Sequence, residues 1–390
     1  MVWARETAGL TLEQAASALG LTSTVRLEKI EVGEELPSRP LLIKMSKQYR
    51  RSLLTFYLSA PPKKGDRGQD FRTLPLDRAL SDDALLDALV RDVTSRQNMV
   101  RSIVEEEEDG QALPFIGSCS MKDMVSGVLA SISEVLRISL DDYRAQKTAE
   151  DAFAYLREKA EAVGIFVLLI GNLGTHHSAI SVESFRGFAI ADSIAPFIVV
   201  NDQDAKTAWS FTLLHELAHL WLGATGISGA SAEIEIEKFC NAVASTFLLP
   251  KQELRELAVS DDTPAEEAID AIAGFARARH LSRKMVAYAL FRADRIQRST
   301  WLNLNRAINE RWLGERERQK EVARRSDTGP NYYVVRRHRL GKALLNLVHR
   351  TMGAGMLTPV KAAKVLGVKP RSVNPLLVNR TPGPDVRGRA

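Results

Sequence analysis

Cysteine is nearly absent: the 390 residues hold two, Cys119 and Cys240. That rules out a disulfide framework and makes a reducing cytoplasm the expected compartment. Long hydrophobic runs are missing too. The longest apolar stretches, such as Ile165 to Ile170, fall far short of the ~18–20 residues that span a bilayer, so no membrane segment is expected. The opening MVWARETAGLTLEQ carries charges where a secretory signal would need an apolar core. What remains is ordinary for a folded soluble protein: 45% hydrophobic and 26% charged residues exclude a disordered or collagen-like chain. At roughly 150 residues per domain, the length predicts two to three domains.

Charge is unevenly spread. The net charge is +5, yet residues 324 to 390 alone carry fourteen Lys and Arg against Asp327 and Asp385, so the preceding chain is net acidic. A basic end on an acidic body suggests a polyanionic partner for that end, DNA first.

Turn chemistry and periodicity divide the chain. In residues 1–60, Thr11 with Gln14 reads as a capping box, Gly20 as the end of that helix, and Leu41 to Leu58 as a further amphipathic helix. Pro61, Pro62, Gly65 and Gly68 mark a linker, and residues 61–146 read as linker followed by helices near 80–104 and 121–136. Residues 147–300 change character: short runs at 165–170, 185–191 and 196–200 read as strands among helices at 149–163, 205–222, 233–249, 264–279 and 282–297. Residues 301–390 form a basic helical end. The expected class is mainly α with one small α+β domain.

The sharpest motif is His215-Glu216-Leu217-Ala218-His219. With seven histidines in the chain, roughly 0.015 chance occurrences are expected. On a helix, positions i, i+1 and i+4 fall on one side, as two zinc ligands plus a general base require. The flanking WSFTLLHELAHLWLG is otherwise almost wholly apolar, implying a buried helix whose three polar side chains need partners. The alternative is a pair of core histidines bonded to backbone carbonyls.

A catalytic zinc takes a third protein ligand. In EIEIEKFCNAVASTFLLP the core-facing stripe runs through Ile236, Phe239, Cys240, Val243, Ala244, Phe247 and Leu248. Glu237 and Asn241 border it, one turn apart, placing Glu237 as ligand and Asn241 as a hydrogen-bonding group that orients a ligand imidazole. Glu233 is the second choice, Cys240 suits packing better, and Glu235 and Lys238 suit a solvated flank. His176, His177, Tyr288 and Arg292 are candidate oxyanion donors, and the strand Pro196 to Val200 is a candidate for edge pairing with substrate backbone.

The segments IAPFIVVND, AWSFTLLHELAHLWLG and EIEKFCNAVASTFLLP, in this order, resemble the ImmA/IrrE family of zinc metallo-endopeptidases. The leading WARETAGLTLEQAASALGL with YRRSLLTFYL resembles a fused Cro/repressor-type (XRE) helix-turn-helix. The resemblance implies a gluzincin-type, zincin-like fold with Zn2+ on His215, His219 and, by motif position, Glu237, and with Glu216 as catalytic base. It also implies a regulator that cleaves or inactivates a protein partner such as a repressor. The alternative function is a non-proteolytic, DNA-binding antitoxin or transcriptional regulator that binds a toxin and keeps a structural zinc. Many relatives carry an acid where this chain has Phe239.

LTLEQAASALG at 10–20 and LTPVKAAKVLG at 357–367 share six of eleven positions, so each end is expected to hold a helix-turn-helix module. Around the N-terminal second helix, Arg26 and Lys29 stand among Glu28, Glu31, Glu34 and Glu35. The C-terminal unit carries Lys361, Lys364, Lys369 and Arg371 without an acid. Electrostatics ranks the C-terminal unit as the better DNA binder, whereas the resemblance points to the N-terminal one.

Overall fold

A computed structural model describes residues 1–61, 80–107, 110–174, 178–223, 230–325 and 331–378. The expected linker lies, from Pro62 onwards, outside the described residues. The N-terminal unit comprises α1 (Val2–Glu6), α2 (Leu12–Leu19), α3 (Thr24–Val32) and α4 (Arg39–Gln48). The Thr11–Gln14 capping box is formed in both directions, and Gly20 closes α2 at φ +74°. The helix expected to run to residue 58 stops early. Arg50 turns the backbone left-handed at φ 51°, and Arg51 then lies 4.3 Å over the Trp3 ring and donates to Thr7 Oγ1 at 2.7 Å.

The remainder contains α5 (Leu80–Glu106), α6 (Met124–Leu136), α7 (Leu140–Arg144), α8 (Ala149–Ala162), β1 (Phe166–Leu169), β2 (Gly187–Ile190), β3 (Phe197–Val200), α9 (Lys206–Leu222) and α10 (Ala230–Leu248). Then follow α11 (Ala265–Ala278), α12 (Arg283–Arg292), α13 (Arg298–Arg325), α14 (Tyr332–Leu340), α15 (Lys342–Gly353), α16 (Pro359–Val365) and α17 (Val373–Leu377). The fold is mainly α with one small α+β unit. None of the described helices is long and apolar enough to cross a membrane.

The sheet order is β1-β3-β2, with β3 parallel to β1 and antiparallel to β2. Its residues alternate between two cores, as the two-residue period of a strand demands. Val167, Leu169, Ala189, Ile198 and Val200 face the core built by α6 to α13. Phe166, Leu168, Phe188, Phe197 and Val199 face a second core, closed by α5 and by α14 to α17. Strands apolar on both faces must be covered twice. Each of those second-face side chains contributes ~1.5–3 kcal/mol when buried, so uncovering all five would cost about as much as a domain's whole stability.

A buried ion pair joins the layers. Arg157, 7% exposed, pairs with Glu161 at 3.1 Å and donates to the carbonyls of His338, Val167 and Arg339. The second Glu161 oxygen accepts from the Lys342 and Ala343 amides at 2.9 and 3.2 Å, in the first turn of α15. Burial raises the Glu161 carboxyl above its usual range against the pull of Arg157 and these amides. Only glycine fits the adjoining turn: Gly341 sits at φ +80°, and a Cβ there would lie 2.0 Å from Glu161 Oε1.

Candidate metal centre

Helix α9 is largely apolar around its circumference and, from Trp209 on, almost wholly buried. Leu213, Leu214, Leu217, Leu220 and Trp221 are fully enclosed. Its C-terminal carbonyls are satisfied from another segment: Gly117 donates to Leu220 and Cys119 to Trp221, both at 2.9 Å, and Gly223 ends the helix at φ 58°. Trp221 stacks on Phe115 at 4.6 Å and donates to Ser131 Oγ at 3.0 Å. The helix is therefore held rigidly in rotation and height.

From this frame His215, Glu216 and His219 project, each 1% exposed. Helix α10 packs alongside α9 and brings Glu237 to both imidazoles. Glu237 Oε2 lies 3.3 Å from His215 Nε2, and Oε1 lies 3.2 Å from His219 Nε2. The two Nε2 atoms are 3.0 Å apart. Burial works against the Glu237 charge, but the two imidazoles outweigh it and hold the carboxyl far below the usual carboxylate range. Among the described residues these three could hold a metal ion. The spacing fits: ligands at the ~2.0–2.1 Å of zinc, disposed tetrahedrally, stand about 3.3 Å from one another.

Residues 163–291 match the family model of the IrrE N-terminal-like domain, and residues 2–56 match that of the helix-turn-helix. The chain fuses an XRE-type helix-turn-helix to an ImmA/IrrE-like domain. Neither the search of curated proteins nor that of solved structures returned a match. The ImmA/IrrE-like domain, which is metallopeptidase-like, takes in the sheet and α9 to α12. Helix α5 and α14 to α17, which cover the second face of its sheet, lie outside the matched span.

The other sequence candidates scatter. Asn241 sits one turn beyond Glu237, half-buried on α10. Cys240 is fully buried in the core. Glu235 is exposed and bonds Lys238 at 2.8 Å, while the side chain of Glu233 lies outside the described residues, as do His176 and His177. Tyr288 packs against Phe291 and Trp301 between α12 and α13, and Arg292 is exposed at the end of α12. Arg26 and Lys29 are exposed on α3, with Arg26 paired to Glu35 at 2.8 Å. Lys361, Lys364, Lys369 and Arg371 are all exposed.

One expectation is corrected. The strand at 196–200 cannot pair with substrate, because β3 is the central strand and both its edges are taken. The outer strand beside α9 is β2. A Cβ on Gly187, its first residue, would stand 2.8 Å from Glu216 Oε1 and 2.5 Å from Thr212 Cγ2. The Glu216 carboxylate thus lies directly against the β2 backbone. The only sequence signal for this contact was a glycine at the start of a strand, which marks close backbone approach.

Proposed function

We propose that this chain is a zinc-dependent endopeptidase that acts as a regulator. It cleaves or inactivates one specific protein partner, such as a transcriptional repressor, and reaches DNA through its helix-turn-helix. The carrying observation is the convergence of His215, His219 and Glu237 within 3.0 to 3.3 Å on two packed helices, with Glu216 one residue from the first ligand. Two imidazoles and a carboxylate suit zinc. When bound, the ion supplies a Lewis acid that polarises a peptide carbonyl and makes water more acidic.

The residues of the chain do the rest. Glu216 takes the proton of the attacking water and returns it to the leaving amine. The outer edge of β2 offers backbone groups to an extended substrate, a mode that reads little side-chain sequence. Selectivity then comes from bringing enzyme and partner together, which a DNA-bound module does for a DNA-bound target.

Gly187→Ala tests the contact of β2 with the base. The methyl group would push on Glu216 Oε1, on Thr212 Cγ2 and on the Val199 carbonyl at 2.9 Å, and displacement of a reacting group by ~1 Å can cost on the order of 10² in rate. Turnover should fall by about that much with metal content unchanged, as read by peptide cleavage alongside elemental analysis.

The function is tested with the protein encoded next to this chain's gene, a candidate repressor or toxin. Incubated with the zinc-loaded chain, it should yield discrete fragments that disappear on chelation and return with added zinc. A partner that binds tightly and stays whole under all three conditions would favour the antitoxin-like alternative.

A further inference from the structure

The segment 332–378 contains nine Lys and Arg and no Asp or Glu. The structure spends more than half of these cations internally. Arg336 donates to the Gly367 carbonyl, and Arg337 to the carbonyls of Pro375 and Leu376 at the end of α17. Arg339 pairs with Asp202, Lys342 with Glu158 and Arg350 with Glu107. Lys361, Lys364, Lys369 and Arg371 are left. All four are exposed, and none of their side chains pairs with a carboxylate among the described residues. They follow one another along a single corner: two on α16 three residues apart, one after the left-handed Gly367, and one in the turn Pro370–Ser372 that leads into α17.

The corner is rigid. Ala362, Ala363, Val365, Leu366 and Val373 are buried in the core beneath it, and the Arg96 guanidinium on α5 fills the space beside Gly367. It is also a poor base reader, because α17 is five residues long and contains Pro375. On the helix-turn-helix, Arg26 is paired with Glu35 and Lys29 stands between Glu28 and Glu31 on α3, while Arg39, Lys44 and Lys47 lie exposed on α4.

We propose that Lys361, Lys364, Lys369 and Arg371 form a phosphate-binding corner that grips duplex DNA together with the N-terminal helix-turn-helix. This rests in part on reading that unit as DNA-binding. The corner supplies affinity through the backbone, and α3 supplies whatever base preference there is.

The test uses the full chain and a random-sequence DNA duplex, with affinity followed against salt. Each phosphate contact contributes about 0.9 to the slope of log K against log salt, so Lys361→Gln, Lys364→Gln, Lys369→Gln and Arg371→Gln together should flatten it by about 3 to 4. Affinity at low salt should fall at least ~10-fold, with an unchanged melting temperature. An unchanged slope overturns the proposal, as does equal or tighter binding of duplex RNA. A wild type without preference among DNA sequences, but with the slope still lost in the variant, refutes the reading of the helix-turn-helix and sustains the corner.

Discussion

Glu216→Gln is expected to lower peptide cleavage by about 10²–10⁴-fold, the usual contribution of a positioned general base, while zinc content stays at one equivalent. The amide keeps the size and reach of the carboxylate but cannot take a proton. Glu216 does not belong to the group that could hold the metal, so metal binding should survive the change. Its position against Gly187 on β2 holds it at a fixed height beside the ligands. Binding of the partner protein and of DNA should be unaffected. If cells carrying Glu216→Gln keep the full regulatory phenotype of the intact protein, proteolysis is not the function and the antitoxin-like alternative replaces it.

Zinc should be lost most completely at the ligands themselves. His215→Ala, His219→Ala and Glu237→Ala should each bring metal content well below one equivalent, whereas Glu235→Ala, whose side chain is exposed and bonded to Lys238, should keep it. Stability should follow, because an ion that binds only the native state adds about 4 kcal/mol when its free concentration stands ~1,000-fold above Kd. The three ligand variants should therefore melt near the chelated wild type, with no further drop on chelation. Unchanged zinc in any of the three, by elemental analysis of purified protein, would remove that residue from the site.

Local chemistry made much of this legible in advance. The Thr11–Gln14 box and Gly20 act within one turn of helix, so their effect depends on nothing distant. The three short β-branched and aromatic runs contain the three strands, whose residues carry no polar side chain. The spacing of His215, Glu216 and His219 needs only helical geometry to put them on one side. Glu237 was within reach as well, since the stripe from Ile236 to Leu248 orients α10 before any partner is known. The stop at Tyr49 was not, because what turns the chain at Arg50 is the packing of Arg51 on Trp3, far away in sequence.

The sequence by itself determined the domain types, the strands and the two helices that carry the side chains able to hold a metal, because these follow from periodicity and turn residues over a few positions. Only the tertiary structure decided that β3 is central and β2 outermost, since strand order depends on pairings across whole connections. The depth of Glu216 against Gly187 follows from that order. Tertiary packing also decided the use of the basic C-terminal segment. A sheet apolar on both faces needs a second cover, and α5 with α14 to α17 supplies it. That packing ties five of the nine cations to acids or helix ends and leaves Lys361, Lys364, Lys369 and Arg371 facing solvent. A count of charges cannot separate the two groups, because pairing is a property of distance in space.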